Sequence, residues 1–292
     1  RSIPYLAHPS WTGSPSSANT ACPYQRHSFY FYRFIILMIA IFRKLRQDSL
    51  TKASRYVLYA VGEIILVVIG ILIALQINNN NDRIKEKEKE RLYLTNLRKD
   101  LVLNIREIDK YITDRTVCIE SAKTILEHFE GKPITDVAAF NNLCMPIYNW
   151  QRFYQVDNTF QELISSGNLT LISSDTIKTL LFNMESQYKV NKAEEDHFRF
   201  DAEVLIYQPL YELMDLKLMV ESIGVQVGRK PLIMRPLPPS LFNAYLRNIK
   251  LKNGFTSAVF EFTVLNDHLI RMKQISGQLI QAIDLELKKS QS

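Results

Sequence analysis

Residues Tyr56–Ile77 read YVLYAVGEIILVVIGILIALQI. A helix needs about 20 mainly apolar residues to cross a bilayer, and this stretch has that length. Lipid offers no water to backbone N–H and C=O groups, so a lone apolar span satisfies them internally, as a helix. The reading is a single N-terminal transmembrane helix followed by an all-α domain. One residue breaks the apolar pattern, Glu63. A carboxylate at mid-bilayer costs roughly 2.5–3.5 kcal/mol. Glu63 stands about 10 Å of helix from Tyr56, within reach of water or a head group. It either snorkels or is protonated, or it serves a partner contact or a proton-coupled role. Gly70 and Ala74 have the small-xxx-small spacing that lets two helices approach, which makes them the candidate seam of a homodimer. The apolar core exceeds that of a signal peptide, and Gln76-Ile77-Asn78-Asn79 lacks a small-x-small cleavage site. The span reads as an uncleaved signal anchor.

The 292-residue chain carries a net charge of +6, and the excess sits at the front. Arg1, Arg26 and Arg33 face no acid in residues 1–37, and Arg43, Lys44, Arg46, Lys52 and Arg55 face only Asp48 in residues 38–55. The remainder is close to neutral, which argues against nucleic acid as a partner, since that needs a basic face on the folded part. The basic cluster before the span reads as a topology signal and a contact for anionic membrane lipid. Lys and Arg within about 15 residues of the span are equally numerous on its two sides. The orientation expected is N-terminus in the cytoplasm and the domain in the periplasm of a bacterial inner membrane.

The first methionine is Met38, and residues 1–37 hold Pro4, Pro9, Pro15 and Pro23 without an apolar period. Translation is expected to begin at Met38, with 1–37 a non-native or disordered extension. The organisation that follows is a basic cytoplasmic lead-in at 38–55, the span at 56–77, a charged stalk at 78–91 and a helical bundle at 92–292.

Beyond the stalk the apolar residues fall at helical spacing: Leu94, Leu97, Leu101, Ile105, Ile108 and Ile112, then Ile119, Ala122, Leu126 and Phe129. Gly131 and Pro133 mark the end of that helix. Aromatic residues gather at 140–160 and read as domain core or, alternatively, as a ligand pocket or partner surface. Thr159-Phe-Gln-Glu162 fits a capping box, Gly167-Asn168 a stop, and Ser173 or Ser174 with Asp175 a new helix start. The new helix carries Ile177, Leu181, Met184 and Phe198 and is expected to end before Pro209. Residues 223–240 form the longest irregular segment, and a last amphipathic region runs from Phe242 through Ile283.

Little chemistry is visible in these residues. Cys118 and Cys144 are either a disulfide of an oxidising compartment or two separate buried thiols. Glu194-x-x-His197 matches half of the Glu-x-x-His pattern of di-iron bundles, but His128 and His268 have no acid three residues earlier, so the acidic patch is expected to be a solvated face. There is no HExxH, GxSxG or phosphate loop. No cofactor or metal is expected, and the protein is not expected to be an enzyme.

The runs FRKLRQ (Phe42–Gln47) and YVLYAVGEIILVVIGILIALQINN (Tyr56–Asn79), with TFQELISSGNLTLISS (Thr159–Ser174), carry a resemblance. They are similar to a bacterial, Bacteroidota-type family of single-span membrane proteins catalogued only as a domain of unknown function. Glu162, Leu163, Ser166, Gly167, Leu169 and Ile172 occupy the positions of that family's Glu-Leu-x-x-Ser-Gly-x-Leu-x-x-Ile segment. The resemblance runs from Met38 to the C-terminus. Asn80 stands where the family usually has Trp after the span. The resemblance implies a membrane address and supplies no reaction. The expected function is a membrane-anchored helical domain that binds an envelope protein or scaffolds an envelope complex. The alternative is a periplasmic ligand-sensing module that signals through a partner.

Overall fold

The computed structural model describes residues 52–223 and 238–289. The expectations for residues 1–37, for most of the basic lead-in and for most of the irregular segment 223–240 lie outside the described residues, as does Cys22. The chain divides into two units, Arg1–Asn78 and Asn79–Ser292. All elements among the described residues are helical, as the periodicity predicts. Helix α1 (Lys52–Phe129) contributes to both units. In the first unit its side chains from Ile71 to Ile77 are exposed. Its most apolar 18-residue window has a mean hydropathy of 2.6 and none of it is buried. By length and composition, α1 is able to cross a membrane.

The second unit is built on three long helices. These are α1 from about residue 90 onward, α4 (Asp175–Ala202) and α7 (Ile249–Lys289). Polar pairs set their directions. Lys252 meets Glu130, Asn266 meets Thr116 and Arg98 meets Asp284, so α7 runs antiparallel to α1. Ser257 meets Asp201 and His268 meets Gln187, so α7 is also antiparallel to α4. α1 and α4 are therefore parallel, and a crossover connects them. That crossover holds α2 (Val137–Tyr148), α3 (Asn158–Ser165) and a 3₁₀ turn, Asn168–Leu171.

The core has two apolar clusters along these helices. One gathers Leu94, Leu97, Leu101 and Ile108 with Leu163, Ile172, Ile177 and the Leu269–Ile283 stripe. The other gathers Ile119, Ala122 and Ile125 with Phe140, Phe198, Tyr245, Phe255 and Phe262. The aromatic stretch divides between them. Phe140 and Phe153 are buried, whereas Tyr154 is an exposed surface residue.

Helix starts show where local signals hold and where tertiary contacts replace them. Ser174 caps α4, its hydroxyl accepting from Ile177 N, with Asp175 in the first turn as expected. The capping box at Thr159 does not form. α3 begins at Asn158, and Thr159 N donates to Asp100 Oδ2 of α1 at 3.1 Å, so a distant carboxylate takes the place that the box gives to the Glu162 carboxylate. α4 ends at Ala202, before Pro209 as expected, but the chain does not leave the helical path there. The chain passes through a π-turn, Glu203–Tyr207, into α5 (Gln208–Leu213), where Pro209 sits in the first turn and needs no intrahelical donor. Helix α6 (Leu216–Ile223) follows. At this turn α7 comes very close: a Cβ on Gly254 would stand 2.6 Å from Ile206 Cγ1 and 3.1 Å from the Leu205 carbonyl oxygen. Two 3₁₀ turns, Pro239–Phe242 and Tyr245–Arg247, then place Phe242 and Tyr245 in the core ahead of α7.

Phe262 is fully buried, with ring centroids 4.6 Å from Phe198 and 6.4 Å from Trp150. Replacing it by alanine removes a packed ring and leaves a cavity. Urea unfolding of the full chain in detergent micelles is expected to show Phe262→Ala less stable by about 3–5 kcal/mol.

Candidate functional site

Between the two apolar clusters lies a buried polar layer. Along α1 the apolar sequence is interrupted by Arg115, along α4 by Asn191 and Glu195, and along α7 by Asn266; all four are buried. Arg115 Nη2 donates to Glu195 Oε1, and Arg115 Nη1 donates to the Leu265 carbonyl at 3.3 Å. The guanidinium also lies 5.8 Å from the Tyr111 ring centroid. Glu195 Oε1 accepts a further bond, 3.0 Å, from Phe153 N. One ion pair thus joins α1, α4, α7 and the crossover. Burial pulls the Arg115 pKa below its ordinary value, against the opposing pull of Glu195. Arg115 Nε and both amide atoms of Asn191 find no hydrogen-bond partner among the described residues.

Glu195 is flanked by the outward-turned half of the same helix. Glu194 and His197 stand three apart on α4, and Glu261 approaches from α7. One potential ligand atom of each lies within 4.8 Å of the other two. His197 Nδ1 is 3.2 Å from Glu261 Oε1 and donates to that carboxylate. Burial raises the Glu261 pKa; His197 opposes the rise, and the nearby charges of Glu194 and Asp201 add to it. Two turns along α7, His268 Nδ1 lies 2.9 Å from Gln187 Nε2, and burial lowers the pKa of that imidazole against the pull of Glu194. The expectation of a solvated face for the acidic patch therefore holds for Asp196 and His197, which are exposed, and fails for Glu195, which is buried against Arg115; Glu261 is a residue that sequence reading did not single out. Nothing within reach of residue 194 in the sequence points to residue 261, because the register of α4 against α7 decides the meeting.

The residues resembling the family signature form one docked corner. Leu163 and Ile172 are fully buried in the Leu94–Leu101 cluster, and Leu169 packs partly against it. Gly167 ends α3 in the left-handed region at φ 71°, where a side chain would be strained. Glu162 Oε1 accepts from Tyr93 Oη at 3.1 Å, and Asn168 Nδ2 donates to the same hydroxyl at 2.9 Å. Glu90 Oε1 accepts from Ser173 N at 2.6 Å, so the last acid of the charged run is part of the corner rather than a solvated stalk. The neighbouring strap of crossover is held by Asn104, whose amide both donates to Val156 O and accepts from Val156 N. A cleft beside it, lined by Asp100, Asn104, Gln155 and Phe160, has about 20 Å³ of room, enough for one water. In the first unit Glu63, Gly70 and Ala74 are all exposed, and a Cβ on Gly70 would meet nothing within 4 Å.

Cys118 and Cys144 are separate buried thiols. Cys118 donates to the Pro146 carbonyl at 3.3 Å, and Cys144 lies 3.8 Å from Tyr245 Oη. Burial raises both thiol pKa values to about 12. At neutral pH, Cys118 and Cys144 are expected to resist a maleimide in the folded chain and to react on unfolding, as peptide mapping of the labelled sites would read. For the buried pair, Glu195→Ala strands the Arg115 charge and is expected to lose about 3–5 kcal/mol in urea unfolding. Arg115→Met combined with Glu195→Leu is expected to lose less than Glu195→Leu alone, because no unpaired charge remains.

The chain was compared with known proteins. Its stretch from Glu63 to Asp196 matches a family model described as a family of unknown function. No curated protein and no solved structure matches the chain. Over residues 63–196, from the apolar span through the docked corner to the polar layer, this chain is similar to the family of unknown function DUF6090.

Proposed function

We propose that the protein is a single-pass membrane protein whose helical domain binds a protein partner at the cell envelope. The observation that carries this reading is the unburied apolar face of α1 between Tyr56 and Ile77. Water is a poor solvent for such a surface, and a bilayer core is a good one. Lys and Arg are equally numerous on the two sides of the span, so a cytoplasmic N-terminus at a bacterial inner membrane, with the domain in the periplasm, is proposed from the family resemblance. The domain is proposed to be non-enzymatic and to act by contact. Its second unit exposes the aromatic side chains of Tyr154, Phe200 and Phe260, surface that a partner would remove from water. The ligand-sensing alternative gains nothing from the cleft beside Asn104, whose room fits a water and not a metabolite.

Orientation and anchoring are tested together in spheroplasts. Protease added to intact cells is expected to digest the domain, and the protein is expected to stay in the membrane fraction through carbonate washing. Protection until lysis would reverse the orientation, and release by carbonate would remove the anchor.

A further inference from the structure

Glu261 carries a feature the rest of the domain does not explain. Its side chain is 7% exposed, yet among the described residues no Lys or Arg pairs with it. A buried carboxylate needs compensation by charge and hydrogen bonds. The neighbouring Glu195 has this from Arg115, whereas Glu261 has only the imidazole of His197, itself 60% exposed. Half-buried Glu194 also lacks a Lys or Arg partner, and it faces the same point. The local cations are engaged elsewhere: Arg115 with Glu195, Arg152 with Asp196, and Arg199 at 4.0 Å from Asp196. Two carboxylates and one imidazole thus converge from two helices with too little positive charge between them.

We propose that Glu194, His197 and Glu261 bind one first-row divalent transition-metal cation that links α4 to α7. The donor set supports that class. Two carboxylate oxygens with one imidazole nitrogen suit Zn²⁺, Mn²⁺, Fe²⁺ or Co²⁺, whereas Ca²⁺ and Mg²⁺ favour oxygen shells and Cu⁺ favours sulfur. Metal–ligand distances of about 2.0–2.2 Å place ligand atoms roughly 3–3.5 Å apart, so the cluster closes by about an ångström. Glu261 is fixed by burial, and the exposed His197 and half-buried Glu194 have the freedom to make that adjustment by changing rotamer. Three protein ligands leave further positions of the ion open to water on the His197 side. The floor beneath is rigid: Phe198 and Phe262, the next residues along each helix, are fully buried against one another. The cation would add a cross-link between helices at the level where the apolar core gives way to the polar layer.

The test is titration of the full-length, untagged chain in detergent micelles with Co²⁺ and then Zn²⁺, after chelator treatment. Wild-type protein is expected to take up one Co²⁺ with a visible absorption band that Zn²⁺ abolishes, and Zn²⁺ is expected to raise its Tm. His197→Ala is expected to lose the band and, measured against its own metal-free Tm, the rise that Zn²⁺ gives the wild type, while its far-UV circular dichroism stays as in wild type. Glu261→Gln is expected to weaken binding at least about tenfold, the effect that loss of an outer-shell partner alone produces. His197 is exposed, so its variant keeps the test sound if Glu261→Gln fails to fold. The proposal is overturned if the wild type binds no Co²⁺, or if His197→Ala binds it as the wild type does.

Discussion

A guanidinium and a carboxylate taken out of water must meet, and the second unit is arranged so that Arg115 and Glu195 do. Each ion alone in the interior would cost several kcal/mol, and together they roughly offset that cost. Such a pair adds little net stability over apolar residues, but any register that separates its members leaves a buried charge. Arg115 reaches α4 through Glu195 and α7 through the Leu265 carbonyl, and Glu195 reaches the crossover through Phe153 N. Sliding any of these elements by one turn would strand at least one of these groups. Apolar stripes alone are less demanding, since a leucine stripe packs tolerably in several registers.

The crossover shows the same principle on backbone groups. Residues between α2 and α3 are not helical, and the first N–H groups of α3 have no acceptor within the helix, so these groups need partners from elsewhere. Asn104 and Asp100 of α1 and Glu195 of α4 supply them for Val156, Thr159 and Phe153. Glu90 does the same for Ser173 N, and Tyr93 Oη ties the side chains of Glu162 and Asn168 into the same corner. α1 thus serves both as a core helix and as a ladder of polar side chains on which the connection hangs. This dual role places polar residues such as Asn104 and Arg115 inside an otherwise apolar stripe.

Much of the candidate site escaped sequence reading for a reason that particular residues make plain. The Glu194–His197 spacing is visible on one helix, and its chemistry looked incomplete because a third ligand was sought at a matching spacing. Glu261 comes instead from a helix antiparallel to the first, where no local pattern marks it. The capping box at Thr159 failed in the opposite way: the local pattern is present, but Asp100 of α1 accepts from Thr159 N where the box offers the Glu162 carboxylate, and Glu162 accepts from Tyr93 instead. Pro209 stops a regular α-helix, yet a π-turn before it moved the proline into a position where no donor is missing.

What the sequence determined by itself was everything set by period and composition along one helix. That covers the apolar span from Tyr56 to Ile77, the stripe from Leu94 to Ile108, the Ser174 cap, the Gly167 stop and the all-helical class. These follow from 3.6 residues per turn, from the solvent each face demands and from backbone conformations that only some residues adopt. The tertiary structure alone decided which polar groups meet: Arg115 with Glu195, Tyr93 with Glu162, Glu261 with Glu194 and His197, and two cysteines that do not pair. Those meetings depend on the register between helices separated by tens of residues. Register is a property of the packed interior as a whole, so no single stretch of the chain encodes it.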